Sequence, residues 1–241
     1  MNLNTTMNLS YVRRLSQTLP LVHERIAEAT NASGREFHSV RLVAVTKAHS
    51  VDAVSAALAA GLTDLGENRV EELEGKVAKL GRDLATWHMI GHLQSRKARR
   101  ASQLAHIIQS VDSIKLANRI SKFAQEEGIT VRILTQVNTS GEISKSGFDM
   151  ASAVDDILCI AESPGIRVEG LMTMAPFGAD KEKLTSTFRG LRKIHEKLRD
   201  QGDVVGPELS MGMTNDFEIA IREGSTMVRV GTALFGARTR I

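Results

Sequence analysis

Short apolar runs alternate along this chain with longer amphipathic stretches. Runs rich in Val, Ile, Leu and Met at 41–46, 63–67, 86–91, 106–111, 131–138, 167–174, 207–212 and 227–231 read as eight strands. Most are apolar on both faces, as parallel strands covered by helices must be. Helical periodicity falls between them, near 51–61, 68–80, 94–104, 113–127, 149–162, 180–201 and 214–223. Each such segment is long enough for a right-handed crossover. Seven crossovers join eight strands, and the eighth helix comes early: Leu9, Val12, Leu15, Leu19, Val22 and Ile26 share one face of a helix over 8–30, despite Pro20. The pattern predicts an α/β protein, a single (β/α)8 TIM barrel with an extra N-terminal helix. It fills 1–241 with no linker or second domain. An open doubly wound sheet is the competing architecture.

Composition narrows the chemistry. A length of 241 residues suits one barrel, and 42% apolar with 24% charged residues is the balance of an ordinary soluble globular chain. The lone cysteine, Cys159, excludes an internal disulfide; on the helix over 149–162 it is expected among Val154, Ile157, Leu158 and Ile160 as a buried, inert thiol. No signal peptide opens the chain and no run of about 18 apolar residues crosses it, so a cytoplasmic protein without membrane contact is expected. With 31 basic and 28 acidic side chains, nucleic-acid binding is not expected. The run Arg96-Lys97-Ala98-Arg99-Arg100 reads as a solvated face, with an anion or RNA contact as the alternative. His88 and His92 straddle a strand end and Gly91, so no metal site is expected.

Reactive groups of a barrel belong where strands end and βα-loops begin. Polar residues gather there: Lys47, Glu67, Asn68, His88, His92, Asp112, Asn138, Thr173, Ser210, Arg229 and Thr232, with Met174 and Gly231. Lys47 ends the apolar run 42–46, which would desolvate its ammonium at the barrel mouth and expose a nucleophilic amine. The alternative is a lysine that snorkels to solvent or pairs with Glu67. After the last two strands, Ser210, Gly212, Thr214, Gly231 and Thr232 supply the small hydroxyl and backbone donors that barrels use for phosphate. Glycines needed only for turns would look the same.

The stretches LVAVTK (42–47), GEN (66–68), WHMIGHLQSRK (87–97), SVD (110–112), NTSGEISKSGF (138–148), GLMTMAP (170–176), LSMGMTNDFEIAI (209–221) and GSTMVRVGTALFGAR (224–238) run in order along the chain. Through them it resembles the pyridoxal 5′-phosphate homeostasis protein family. The resemblance implies a fold-type III barrel related to the N-terminal domain of alanine racemase, binding pyridoxal 5′-phosphate (PLP) through an internal aldimine on Lys47. It implies that Asn68 lies beside the cofactor, that Ser210, Gly231 and Thr232 contact its phosphate with Thr214, and that Arg229 faces the pyridine nitrogen. Thr214 stands for the family's serine, Thr46-Lys47-Ala48 for Ser-Lys-Thr, and Arg96 for Asn; none removes a required group. A protonated arginine discourages protonation of the ring nitrogen, which weakens the cofactor as an electron sink and disfavours transamination.

The resemblance therefore implies a protein that carries or buffers PLP in vitamin B6 homeostasis, with PLP-dependent apo-enzymes as acceptors. The competing reading is an amino-acid racemase, which needs a second proton carrier opposite the lysine. In alanine racemases a tyrosine of a C-terminal domain serves. Here the chain ends ten residues beyond Gly231 and its one tyrosine is Tyr11, so no turnover is expected unless Tyr11 reaches a partner subunit's site. A monomer is expected, with a dimer as the alternative. Lys145 and His88 are placed near the mouth as candidates for assisting release.

Overall fold

The computed structural model describes residues 9–142 and 145–237. Its strands are β1 (Arg41–Val45), β2 (Asp64–Glu67), β3 (Thr86–Met89), β4 (Ile107–Val111), β5 (Val131–Asn138), β6 (Phe148–Asp149), β7 (Ile166–Met172), β8 (Glu208–Met213) and β9 (Met227–Val230). All pairings are parallel, in the order β4-β3-β2-β1-β9-β8-β7-β5, and a β4–β5 ladder closes the ring. Closure excludes the open doubly wound sheet. The two-residue β6, unforeseen in the sequence, pairs with the C-terminal end of β5.

The helices are α1 (Leu9–Ala32), α2 (Val51–Ala59), α3 (Val70–Leu80), α4 (Ala98–Leu104), α5 (Ile114–Glu127), α6 (Ala153–Ala161), α7 (Lys181–Arg199), α8 (Phe217–Arg222) and α9 (Thr232–Phe235). The leading helix α1 packs against α2, α8 and α9, filling the gap in the outer ring. It turns Leu15, Val22, Ile26 and Ala29 inward and runs through Pro20, which is exposed, so the carbonyl that loses its N–H partner can bond water. Ser113 caps α5 by accepting from the Leu116 amide, and Asp180 caps α7 by accepting from the Lys183 amide. A 3-10 turn, Ser95–Lys97, precedes α4, so the helix read over 94–104 is split.

Most of the core lies between the barrel wall and the helices, around Trp87, Phe188 and Phe217. A second, small cluster of Ile107, Leu134 and Met172, with Met174 against it, comes from strand faces that do not meet the helices and so occupies the barrel interior. Cys159 is exposed, contrary to expectation. The reason is helix phase: α6 buries Ala153, Ile157 and Ile160, which leaves position 159 on the other side. The basic run is drawn onto acidic neighbours, Lys97 to Glu71, Arg99 to Glu126 and Glu127, and Arg100 to Glu74. Among the described residues no helix is long and apolar enough to cross a membrane.

Candidate functional site

A cavity of about 440 Å³ opens at the C-terminal ends of the strands. Lys47, Asn68, Thr214, Arg229, Gly231 and Thr232 all border it, as do Val45, Ile90 and Met174. Parallel strands bring this about, because residues just past their C-terminal ends meet at one mouth. Lys47 follows β1 by two positions and is half-buried. Next to it, Ala48 takes a left-handed backbone (φ 58), which costs an L-residue about 1–2 kcal/mol, and its amide donates to Glu72 Oε2 at 2.7 Å. That bond ties the turn carrying Lys47 to α3.

Behind the turn lies a buried ion pair. Lys76 Nζ of α3 is 2.6 Å from Glu67 Oε1 and donates to the Thr46 carbonyl at 2.7 Å, while the Thr46 hydroxyl donates to Glu67 Oε1 at 2.5 Å. Burial pushes the Glu67 carboxyl up, and Lys76 opposes the shift. Glu67 is thus committed to Lys76, not to Lys47.

Asn68 is held by close approach. A Cβ on Gly91 would lie 2.3 Å from the Asn68 carbonyl oxygen, so only glycine lets the chain after β3 press against Asn68. The side-chain Oδ1 of Asn68 is buried at the cavity and has no hydrogen-bond partner among the described residues. Gly231 likewise packs its α-carbon against β1, where a Cβ would meet the Val45 carbonyl oxygen at 3.1 Å.

Beside β9, β8 carries a bulge. Ser210 pairs with Met227 and Met213 with Arg229, three residues advancing against two. The extra residue is absorbed at Gly212 (φ 95), where a Cβ would collide with Ala220 and Phe217 of α8. Gly212 therefore serves helix packing and lies outside the cavity wall, while Thr214 is delivered to it. Asp216, to which the sequence assigned no role, also borders the cavity; its Oδ1 accepts from the Met213 amide at 2.6 Å. Burial pushes its carboxyl up, against the Met213 bond and the Arg229 charge.

Arg229 borders the cavity from inside the barrel. Burial pushes its guanidinium down to about 10, with Asp216 opposing, so it stays cationic at neutral pH. It donates through Nη1 to Ser210 Oγ at 2.6 Å and through Nη2 to the Thr173 carbonyl at 2.9 Å. Ser210 is fully buried and outside the cavity wall; its hydroxyl donates to Gln109 Oε1 at 2.7 Å. In mid-strand its side chain points into the lumen, where it meets Arg229, which does border the cavity.

Two further candidates sit elsewhere. His88 is fully buried within the barrel, bonded to Gln109 and Asp64, and Lys145 pairs with Glu142 at 2.6 Å on the β5–β6 connection. Neither borders the cavity. His92, 60% exposed, pairs with Asp112 at 2.9 Å, away from His88. Sequence reasoning missed the loop Pro176–Ala179, which has no periodicity, yet it forms one rim and holds Phe177 almost fully in solvent.

Known proteins resemble this chain in sequence and fold. Residues 22–239 fit the family model of the alanine racemase N-terminal domain. A Pseudomonas aeruginosa protein named pyridoxal phosphate homeostasis protein is 40% identical over 228 residues, 93% of this chain and 96% of its own. The chain belongs to the family of pyridoxal phosphate homeostasis proteins. Another member, from Aquifex aeolicus, is 37% identical, matching 93% of this chain and 97% of its own. Among solved structures, PipY of Synechococcus elongatus with PLP bound superposes with a TM-score of 0.78 at 36% identity, covering 89% of this chain and all of PipY.

Proposed function

We propose that this family member binds PLP in the mouth cavity and holds it for intracellular vitamin B6 homeostasis, carrying or buffering the cofactor. The observation that carries this reading is the meeting, in one cavity of about 440 Å³, of Lys47, the open amide of Asn68 and the buried cation of Arg229. That volume is ordinary for a small-molecule site, and an unpartnered amide oxygen calls for a bound polar group. When bound, the cofactor supplies an electrophilic aldehyde carbon that an amine captures with loss of water. Lys47 is the amine placed for this. Asn68 would orient the ring, Thr214, Gly231 and Thr232 would hold the phosphate, and Arg229, as a permanent donor, would keep the ring nitrogen unprotonated. Ser210 acts on the cofactor through Arg229. The family name and the PLP-bound PipY structure support the assignment.

Holding is favoured over turnover by the position of Tyr11, whose hydroxyl lies 3.1 Å from His49 Nδ1 and which stacks edge-on to Phe235, outside the cavity wall. We place the protein in the cytoplasm as a monomer of one barrel domain, with PLP-dependent apo-enzymes as the class of acceptor. Borohydride reduction of the loaded protein, followed by peptide mass analysis, should find the phosphopyridoxyl group on Lys47; finding it on another lysine, or on none, overturns the assignment. Racemisation of alanine or serine at saturating PLP should be negligible, and efficient turnover abolished by Lys47→Ala would overturn the holding role.

A further inference from the structure

A continuous line of hydrogen bonds runs through the barrel interior from the mouth to the opposite rim. Arg229 Nη1 donates to Ser210 Oγ (2.6 Å), Ser210 to Gln109 Oε1 (2.7 Å), Gln109 Nε2 to His88 Nδ1 (2.8 Å), and His88 Nε2 to Asp64 Oδ1 (2.9 Å). The Ser210–Gln109 bond joins β8 to β4, which are not neighbours in the sheet, so it crosses the lumen. Arg229 borders the cavity, whereas Asp64 opens β2 at the N-terminal end of the barrel beside Arg41, the first residue of β1. Ser210, Gln109 and His88 are fully buried. Such a row is costly unless every member is satisfied, and a strand wall of Val, Ile and Met would be cheaper.

The row has one consistent polarity, fixed from its far end. The Asp64 carboxylate can only accept, so His88 carries its proton on Nε2 and leaves Nδ1 as an acceptor. An acceptor there requires the NH₂ of Gln109, which aims the Gln109 oxygen at Ser210. Ser210 must then donate to that oxygen, and its lone pairs turn to Arg229. With Gln109 reversed, Ser210 would face donors on both sides and His88 Nδ1 would face an oxygen.

We propose that Asp64, His88, Gln109 and Ser210 are positioning residues for Arg229, so that a hydrogen-bond direction set at the N-terminal rim fixes the cation that borders the cavity at the other end. The proposal deepens the reading of that cavity as a PLP site and rests on it for its cofactor readout. Burial holds His88 neutral, with Asp64 opposing and with Arg41 and Arg132 the nearby cations, which agrees with the single Nε2 proton.

The test uses the full chain with Asp64→Ala, Asp64→Asn and Gln109→Leu, each checked for folding by circular dichroism and thermal melting. In the protein without added PLP, ring ¹⁵N shifts should show His88 neutral and protonated on Nε2, and Asp64→Ala should shift the Arg229 Nε–H resonance. In the loaded protein, Asp64→Ala and Gln109→Leu should move the absorption maximum of the cofactor and weaken PLP binding about tenfold, the size expected for one misdirected buried hydrogen bond. Asp64→Asn keeps an acceptor for His88 and loses the charge facing Arg41, so it should restore both. A His88 proton on Nδ1, an unchanged spectrum and Kd in folded Asp64→Ala, or no rescue by Asp64→Asn would overturn the proposal. Should Gln109→Leu not fold, the rim variants decide. Should wild-type protein take no PLP, the functional reading fails while the two resonance measurements still judge the line.

Discussion

Removing Lys76 tests how the barrel supports the turn that carries Lys47. The Glu67 side chain is 0% exposed and that of Lys76 6%; they bond each other, and each makes one further short bond to Thr46. Breaking one partner of so buried a pair strands the other charge, a loss of about 3–5 kcal/mol. Lys76→Met and Glu67→Gln should each lose that much in urea unfolding at pH 7.5. The double variant should return to within about 1 kcal/mol of wild type, because the neutral amide that Glu67→Gln introduces can accept from the Thr46 hydroxyl and donate to the Thr46 carbonyl in place of the ammonium.

The pH dependence gives a second check on the same pair. Burial already raises the Glu67 carboxyl, and without Lys76 nothing comparable opposes it. A carboxyl whose folded value lies above its unfolded one gains stability as pH falls through the folded value. The penalty of Lys76→Met should therefore shrink from pH 7.5 to 5, whereas that of Glu67→Gln, which leaves a buried ammonium, should not. Single losses that simply add, with coupling below about 1 kcal/mol, would refute the account.

Gly91→Ala should cost at least about 1–3 kcal/mol and weaken PLP binding, since its Cβ would stand 2.3 Å from the Asn68 carbonyl; a variant with native melting temperature and affinity would contradict the close-approach argument. Cys159 should react with Ellman's reagent in native buffer, and labelling that appears only on unfolding would show the α6 phase to be wrong. His88 is held neutral by burial, so protons bind preferentially to the unfolded chain below its ordinary value of 6.5, and stability falls with pH there by up to about 1.4 kcal/mol per unit. His88→Gln should flatten that slope of unfolding free energy between pH 6.5 and 5.5; an unchanged slope would place the titration elsewhere.

What the sequence disclosed follows from geometry that is common to every strand. In a parallel barrel all C-terminal ends face one way, so strand-terminal polarity alone was enough to bring Lys47, Asn68, Thr214, Arg229, Gly231 and Thr232 around one cavity. What stayed hidden depends on phase. A run apolar on both faces does not say which residues look inward, so Ser210 read as a mouth residue although Leu209 and Met211 turn to the helices and leave it in the lumen. His88 was misplaced for the same reason, and Cys159 by the matching ambiguity on a helix. Partners from separate elements, such as Glu67 with Lys76 or Ser210 with Gln109, carry no signal at any fixed spacing. Gln109 and Asp64, which escaped assignment, belong to the barrel's lumen and its N-terminal rim, where each is hydrogen-bonded to His88. Their function is therefore to be sought in what they hold in place, and the cation at the mouth is the residue that the longest of these rows reaches.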